Sequence, residues 1–525
     1  MEIAILPKIT FKGNIMKNRK IQYGAWALLL GLTSCHAPRE EKAPNLLFVF
    51  PDQFRVQSMA FWDSPEFSGA IRTKADPVHT PQLDRFARES VVFTSMVSNC
   101  PLCSPYRGSL MTGLYPGSSG VPLNCNATRP NSSLRTDVEG FSTVLYNAGY
   151  ETAYIGKWHL DFPLPNDPAN RGHYVDPRPV AWDAYTPKER RHGFKYWYSY
   201  GTWDVHKDPH YYDAEGNRFD PKEYSPKHEA DKAIEYLKNQ NGQRDPGKPF
   251  ALFVSMNPPH SPYRSLDDCM EEDYNLYKDI PPEQLLHRDN ADPSMPKGKS
   301  APYYFANVTG VDREFGRIIQ QLKEMGEFDN TVIVFTSDHG ETMCSQGITD
   351  PKNSIWSEAF DVPFMVRWPQ LDKARTDNLM MSTPDIMPTI LSLMGLGQNL
   401  PEKLHGFNYA DALKGDAGAR RPSSALYIRN NDGEKNSDGL VVSYFPAARG
   451  IKTHRYTLEL QVNRDHQLVA TKFFDDQDDP YQLNNMPVDK NDPVIQDLLG
   501  EMAYWLKHSD DPWYEQGILA DWIEY

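Results

Sequence analysis

Four stretches of the chain are almost continuously apolar: Asn45–Phe50, Thr152–Ile155, Phe250–Met256 and Thr331–Phe335. A strand with one wet face alternates polar and apolar residues, so unbroken hydrophobicity predicts strands covered by helices on both faces. Helical spacing appears between them. Over 304–325, Val308, Val311, Phe315, Ile318, Ile319 and Leu322 share one face. Thr80 precedes Pro81, with Leu83 and Phe86 following, which predicts a helix capped by Thr80 with proline in its first turn. Ser142–Ala148 reads as a helix closed by Gly149. Buried strands alternating with helices define an α/β domain built on a mainly parallel, mixed sheet flanked by helices.

Two regions break this rhythm. Residues 160–230 are rich in Pro, Tyr, Trp, His and charge with little periodicity, the pattern of an insertion that shapes a site. Past residue 415 a linker, Gly415-Asp416-Ala417-Gly418-Ala419-Arg420-Arg421-Pro422, leads to strand-like stretches at Gly439–Tyr444, Arg455–Gln461 and Gln467–Phe474. These predict a small antiparallel sheet, closed by a helix over Pro493–Lys507. The expected division is a large α/β domain over 44–415 and a smaller α+β subdomain over 416–525. A length of 525 residues fits one large core and a lesser one.

Composition narrows the classes. With 39% hydrophobic and 12% aromatic residues, the chain is globular. A net charge of −15 excludes a general nucleic-acid binder, and an anionic substrate would need local cations to offset that field. Residues 1–34 read as a leader. Met16-Lys17-Asn18-Arg19-Lys20 is basic, and the apolar run Ala25–Leu32 is far short of the ~20 residues that cross a bilayer. Leu32-Thr33-Ser34-Cys35 resembles a bacterial lipoprotein cleavage box, which implies lipidation of Cys35. A polar tether over 35–43 follows. The expectation is an exported protein of the periplasm or cell surface, anchored to a membrane through Cys35. Six cysteines in so long a chain are not a disulfide framework, although the spacing leaves a Cys100–Cys125 bridge open.

The chemistry lies at the strand ends. The four runs are followed by Asp52-Gln53, Lys157-Trp158-His159, His260 and Asp338-His339. In open α/β sheets ligands bind beyond the carboxyl ends of parallel strands, so these groups should meet in one crevice. Asp52, Gln53 and Asp338 offer oxygens and His339 a nitrogen, a set suited to a hard cation such as Ca²⁺ or Mg²⁺. No four-ligand Cys/His spacing for structural zinc is present. In Cys103-Ser104-Pro105-Tyr106-Arg107-Gly108, Pro105 favours a helix start and puts Cys103 at the helix N-terminus, where backbone N–H groups favour an anion. Cys100-Pro101-Leu102-Cys103 also has redox spacing, but lacks the strand-then-helix surroundings of a thioredoxin-like motif.

The run Cys103-x-Pro105-x-Arg107-Gly108, continuing through Leu110-Met111-Thr112-Gly113-Leu114-Tyr115-Pro116, resembles the maturation motif of the formylglycine-dependent sulfatases of the alkaline-phosphatase superfamily. Gly149 to His159 resembles that family's second signature, and the similarity extends from Asn45 to about Asn485. The resemblance implies that a dedicated maturase oxidises Cys103 to formylglycine, whose hydrate attacks the sulfur of a sulfate ester. It implies that Asp52, Gln53, Asp338 and His339, with residue 103, hold the cation, Ca²⁺ before Mg²⁺. It further implies that Arg107 and Lys157 orient the hydrate, His159 deprotonates it, and His260 and Lys352 bind sulfate and assist the leaving oxygen. Tyr106 and His339 depart from the usual pattern, with a small residue and asparagine being common there. An exported protein with an aromatic insertion suggests a sulfated saccharide substrate. Trp197, Tyr198, Tyr200 and Trp203 could stack on sugars and Asp204, His206 and Arg449 could read hydroxyls, or all could simply pack the loop. A phosphodiesterase or phosphonate monoester hydrolase on the same scaffold is the alternative, as is a non-catalytic glycan-binding lipoprotein if Cys103 stays unconverted.

Overall fold

The computed structural model describes residues 42–163, 176, 178–183 and 185–525. The leader, most of the tether and Cys35 lie outside the described residues.

Ten strands form the main sheet: β1 Asn45–Val49, β2 Val91–Phe93, β3 Glu151–Lys157, β4 Tyr196–Tyr200, β5 Tyr211–Asp213, β6 Arg218–Phe219, β7 Phe250–Ser255, β8 Thr331–Thr336, β9 Phe364–Arg367 and β10 Arg375–Asp377. Their order is β10-β2-β9-β8-β1-β7-β3-β4-β5-β6. The four apolar runs are the adjacent strands β8, β1, β7 and β3, all parallel to their neighbours within that group. Every residue of these strands is buried, as their uninterrupted hydrophobicity required. Antiparallel β9, β5 and β6 make the sheet mixed.

Helices cover both faces. The longest, Ala301–Glu324, buries Val308, Val311, Phe315, Ile318 and Leu322 in one core with Leu47, Val49 and Ile333 of the sheet. On the other face Phe141 and Val144 of the helix Phe141–Asn147 meet Leu46, Phe48 and Phe253. Gly149 ends that segment with a φ of 88°, a left-handed conformation that glycine adopts without strain. The helix Pro81–Ala87 starts after Thr80, whose Oγ1 instead accepts from the Ala60 N–H; the Asp312 carboxylate accepts from Gln82 and Leu83.

The insertion reading of 160–230 is corrected in part. β4 runs parallel to β3 and extends the main sheet, and its Tyr-Trp-Tyr-Ser-Tyr sequence is mostly buried. The second sheet, β11 Ser424–Asp432, β12 Tyr444–Thr453, β13 Tyr456–Val462 and β14 Leu468–Asp475, is an antiparallel meander. Gly439–Tyr444 is therefore turn rather than strand; the strand begins at Tyr444. The helix Pro493–His508 covers this sheet through Ile495, Leu498, Met502 and Trp505. Cys100 and Tyr115 belong to the same core, so the second sheet braces the segment that carries Cys103. Residues Ala43–Tyr525 form one compact unit.

Candidate active site

The helix Cys103–Thr112 begins directly after extended Leu102, and all ten of its residues are buried. Its close seating depends on Gly108, where a Cβ would come within 2.9 Å of Ser119 Oγ and Val121 Cγ2. Arg107 lies one turn beyond Cys103, on the same face. Its guanidinium touches the ends of all four central strands. Nη1 donates to the Lys157 carbonyl at 2.8 Å and to Ser255 Oγ at 2.7 Å. Nη2 reaches Asp52 Oδ2 at 3.1 Å and Asp338 Oδ2 at 3.3 Å. Four segments distant in sequence are thus held by one planar donor.

Asp52, Cys103, Asp338 and His339 place one potential ligand atom each within 4.8 Å of one another, all buried. Cys103 Sγ is 3.3 Å from His339 Nε2 and 3.7 Å from Asp52 Oδ1. His339 Nδ1 donates to the Gly340 carbonyl at 2.9 Å, which leaves Nε2 facing the cluster. Asp338 Oδ1 accepts from the backbone N–H of Gln53 and of His339. Gln53, at a left-handed φ of 65°, donates its side-chain Nε2 to Glu341 Oε2. Its Oε1 is buried without a hydrogen-bond partner, a costly state unless a cation accepts that oxygen. Glu341 in turn is fixed by Lys297, Tyr263 and the Met343 N–H, so it orients Gln53.

The electrostatics agree with a site built for positive charge. Burial and the neighbouring Asp52 charge push Asp338 up to about 6, despite His339 and Arg107. Burial also opposes the charge on Asp52, yet Lys157, His260, His339 and Arg107 hold it well below the usual carboxylate range. Lys157 Nζ sits 2.7 Å from Asp52 Oδ2. Two carboxylates and an imidazole nitrogen gathered around Cys103, with the buried, unpartnered amide oxygen of Gln53 on the adjoining residue, form a donor set that fits a divalent cation. The Cys103 thiol is 1% exposed, and although burial and Asp52 oppose ionisation, Lys352, Lys157 and His339 hold its pKa well below normal. Its sulfur stands where the oxygens of a converted residue 103 would stand.

Three further groups ring Cys103. His159 donates Nε2 to the Cys125 carbonyl at 3.0 Å, which leaves Nδ1 buried without a partner. Burial first, then Lys157 and Arg107, lower its pKa although the Cys103 charge works the other way. The neutral ring therefore carries its proton on Nε2 and a lone pair on Nδ1. Lys352 Nζ lies 3.0 Å from Cys103 Sγ and 2.9 Å from His260 Nε2. Its loop is anchored where Thr342 binds the Asp350 and Pro351 carbonyls and the Asn353 N–H binds the Pro101 carbonyl. The structure thus brings together Asp52, Gln53, Cys103, Arg107, Lys157, His159, His260, Asp338, His339 and Lys352.

The expected sugar readers are otherwise placed. Trp197 packs in the core against Tyr154 and Trp158, and Tyr198 stacks on Tyr211 at 4.8 Å. Tyr200 is buried, His206 is held by the Asp268 carbonyl, and Arg449 is buried against Asp511. Trp203 is partly buried beneath Arg178, and Trp182, not singled out from the sequence, lies 6.2 Å from His159. Of the expected readers, only Asp204 reaches the site, 3.4 Å from His260 Nδ1. Sequence reasoning also missed Ser255, Asn257 and Glu341, which orient other groups. Only Glu341 carried a signal, being a carboxylate two residues past His339. All five described cysteines are free thiols, so Cys100 and Cys125 form no bridge.

Two family models match the chain, one described as Sulfatase over residues 44–396 and one described as N-sulphoglucosamine sulphohydrolase, C-terminal, over 346–508. An endo-4-O-sulfatase of Bacteroides thetaiotaomicron is 56% identical over 503 residues, covering 95% of this chain and 99% of that protein. An ulvan-active sulfatase of Formosa agariphila is 32% identical over 462 residues, covering 85% of this chain and 78% of that protein. A solved structure from work on the metabolism of multiple glycosaminoglycans by Bacteroides thetaiotaomicron superposes with a TM-score of 0.91 at 57% identity, over 92% of this chain and 100% of that one. The chain belongs to the sulfatase family of the alkaline-phosphatase superfamily. It is a sulfuric ester hydrolase.

Proposed function

We propose that this protein removes O-sulfate from a carbohydrate, specifically a 4-O-sulfate within a glycosaminoglycan chain, using Cys103 converted to formylglycine and a bound Ca²⁺. The observation that carries this reading is the convergence of Asp52, Asp338 and His339 on residue 103, next to a buried Gln53 Oε1 that has no hydrogen-bond partner. The relative named endo-4-O-sulfatase supports the sugar position. Asp52, Gln53, Asp338, His339 and residue 103 would hold the cation. When bound, it lowers the pKa of an oxygen on residue 103 and offsets negative charge at sulfur.

The remaining residues divide the work. Arg107 and Lys157 fix Asp52 and neutralise the acidic side of the site. His159, with its Nδ1 lone pair, accepts a proton from a hydroxyl of residue 103. His260 and Lys352 hold the sulfate and stabilise charge that builds on the leaving oxygen. Conversion requires a maturase that acts on Cys103. The leader motif supports export and anchoring through a lipidated Cys35. Among the described residues, no helix is long and apolar enough to cross a membrane.

The test is sulfate release from a 4-O-sulfated glycosaminoglycan oligosaccharide by protein co-produced with a formylglycine-generating maturase. The mass of the peptide carrying Cys103 is read in parallel. Release without conversion of Cys103 would eliminate the nucleophile, and conversion without release would eliminate the substrate. Fatty-acid labelling that persists in a Cys35→Ser variant would eliminate the anchor.

A further inference from the structure

Strand β11 passes beside residue 103 and is fastened on both sides of it. At one end the Tyr427 hydroxyl donates to the Asn353 carbonyl at 3.2 Å, next to Lys352. The Ile428 N–H donates to the Asn99 carbonyl at 2.8 Å, just before Cys103. At the other end Asp432 Oδ1 accepts from Arg129 Nε at 2.8 Å. Arg129 Nη1 in turn donates to the Asn124 carbonyl, and Asn124 Oδ1 accepts the Ser104 N–H at 2.9 Å. Arg429 stands between these anchors. Side chains alternate along a strand, so it shares the face of Tyr427, which packs on Phe360 in one core with Ile355. That face is turned to the loop that carries Lys352. Opposite Arg429 on β12 is Ala448, too small to cover it.

This arginine lacks an acid. The interior guanidiniums of Arg55, Arg107, Arg288 and Arg449 each pair with at least one carboxylate. Arg429 is half-buried and its Nε is fully enclosed, yet among the described residues neither a carboxylate nor another acceptor pairs with its side chain. A guanidinium does not shed its charge on burial, so leaving it unpaired is costly. The acids nearby are held elsewhere. Burial raises the Tyr427 pKa, Glu459 adds to this and Arg429 opposes it, so both charges lie close to that ring. Glu459 pairs with Lys472, although its Oε2 has no partner, and Asp350 accepts the Lys352 N–H at 3.2 Å. Asn353 Oδ1 is likewise buried without a partner. Two polar groups beside Lys352 are thus left for a group that the chain itself does not supply. In a chain of net charge −15, a cation kept unpaired there favours an anion.

We infer that Arg429 binds a second anionic group of the glycan, a carboxylate or a sulfate on the sugar next to the one being desulfated, and so selects acidic saccharides. The inference rests on the sulfatase reading above, because residue 103 fixes where the first sulfate lies. A guanidinium offers a planar fork of donors that matches either anion with two parallel hydrogen bonds. No bond of the substrate changes at Arg429, so its contact is the same before and during reaction and acts on KM rather than kcat. The rival is a structural role, in which Arg429 serves only as a distant counterion to Glu459. A counterion of that kind supports the fold and treats all substrates alike.

The test is turnover by the matured, Ca²⁺-loaded wild type, Arg429→Gln and Arg429→Lys on three 4-O-sulfated oligosaccharides. In one the neighbouring uronate carboxylate is intact, in the second it is reduced to the alcohol, and in the third that alcohol carries a second sulfate. The Gln variant should lose about 10- to 100-fold in kcat/KM, through KM, on the charged substrate that Arg429 serves, and stay within about twofold of the wild type on the reduced one. Arg429→Lys should fall between them. Which charged substrate suffers tells a carboxylate from a sulfate. A wild type indifferent to the added charge overturns the inference. So does a variant that loses equally on all three, which marks the structural role. A wild type that turns over none of them counts against the 4-O-sulfate reading, and calorimetric titration with an unsulfated uronate oligosaccharide and its carboxyl-reduced form then decides. Binding of the acidic form weakened about tenfold or more by Arg429→Gln supports the inference. Equal affinities, or no binding by the wild type, overturn it.

Discussion

Replacing Arg107 by methionine removes the one donor shared by the ends of β1, β3, β7 and β8. The variant keeps the volume of the side chain but loses hydrogen bonds to the Lys157 carbonyl, Ser255, Asp52 and Asp338. Removing one member of a fully buried ion pair typically costs about 3–5 kcal/mol, because the other charge is left without compensation. Here Asp338, already pushed up to about 6, loses its guanidinium partner altogether. With an unfolding entropy of about 2 cal/mol/K per residue, a unit spanning Ala43–Tyr525 shifts its Tm by about 1 °C per kcal/mol. Calorimetry in chelator should therefore place R107M about 3–5 °C below the wild type. Arg107→Lys, which keeps the charge but not the planar fork, should fall between them. Ca²⁺ at a hundred times its Kd should return about 2.7 kcal/mol, hence about 3 °C, because it compensates the same carboxylates. R107M melting within about 1 °C of the wild type in chelator would refute the view that this guanidinium ties the strand ends together.

Other variants probe single links. Cys103→Ala should abolish sulfate release while melting close to the wild type, and substantial residual turnover would exclude residue 103 as nucleophile. Glu341→Gln turns an amide toward Gln53 and should raise the Kd for Ca²⁺ about 10- to 100-fold by calorimetric titration; unchanged affinity would remove Gln53 Oε1 from the ligand set. Asp312 is pushed up to about 8, first by burial, against the Leu83 and Gln82 N–H bonds it accepts. The unfolded chain gives up that proton near pH 4 and the folded chain near 8, so this group's stabilising contribution is lost as pH rises between them. Asp312→Asn should flatten the dependence of Tm on pH over that window, and parallel wild-type and variant curves would contradict it.

The parts of this fold legible in the sequence are those where one local pattern has one physical cause. Within the globular part of the chain a short unbroken apolar run fits a doubly covered strand, and four such runs ended in polar residues. Their adjacency in the sheet follows from the parallel topology, and it brought Asp52, Lys157, His260 and Asp338 to one edge. β4 was harder to read because Tyr-Trp-Tyr-Ser-Tyr resembles a binding surface as much as a strand; within the fold the Tyr198 hydroxyl meets His228 Nε2 at 2.9 Å and Trp197 packs on Tyr154 and Trp158. β12 was displaced in the reading because Pro446, Arg449 and Lys452 interrupt its pattern, though Arg449 and Lys452 are paired with Asp511 and Asp361. Ser255 and Asn257 had no comparable signature, Glu341 only its place two residues past His339, and Asp204 was legible as a polar residue of the 160–230 region but not as a neighbour of His260. Their importance lies in which atom they turn toward which neighbour, and periodicity carries no record of that.

The shared core of Cys100, Tyr115, Leu426, Ile428 and Trp505 ties the segment around Cys103 to elements made last. Residues on either side of Cys103 emerge early, yet their apolar surface has no cover until β11 and the helix Pro493–His508 have been made. The Ile428 N–H that closes onto the Asn99 carbonyl arrives more than three hundred residues later. A chain cut before β11 would therefore leave the apolar surface beside Cys103 bare.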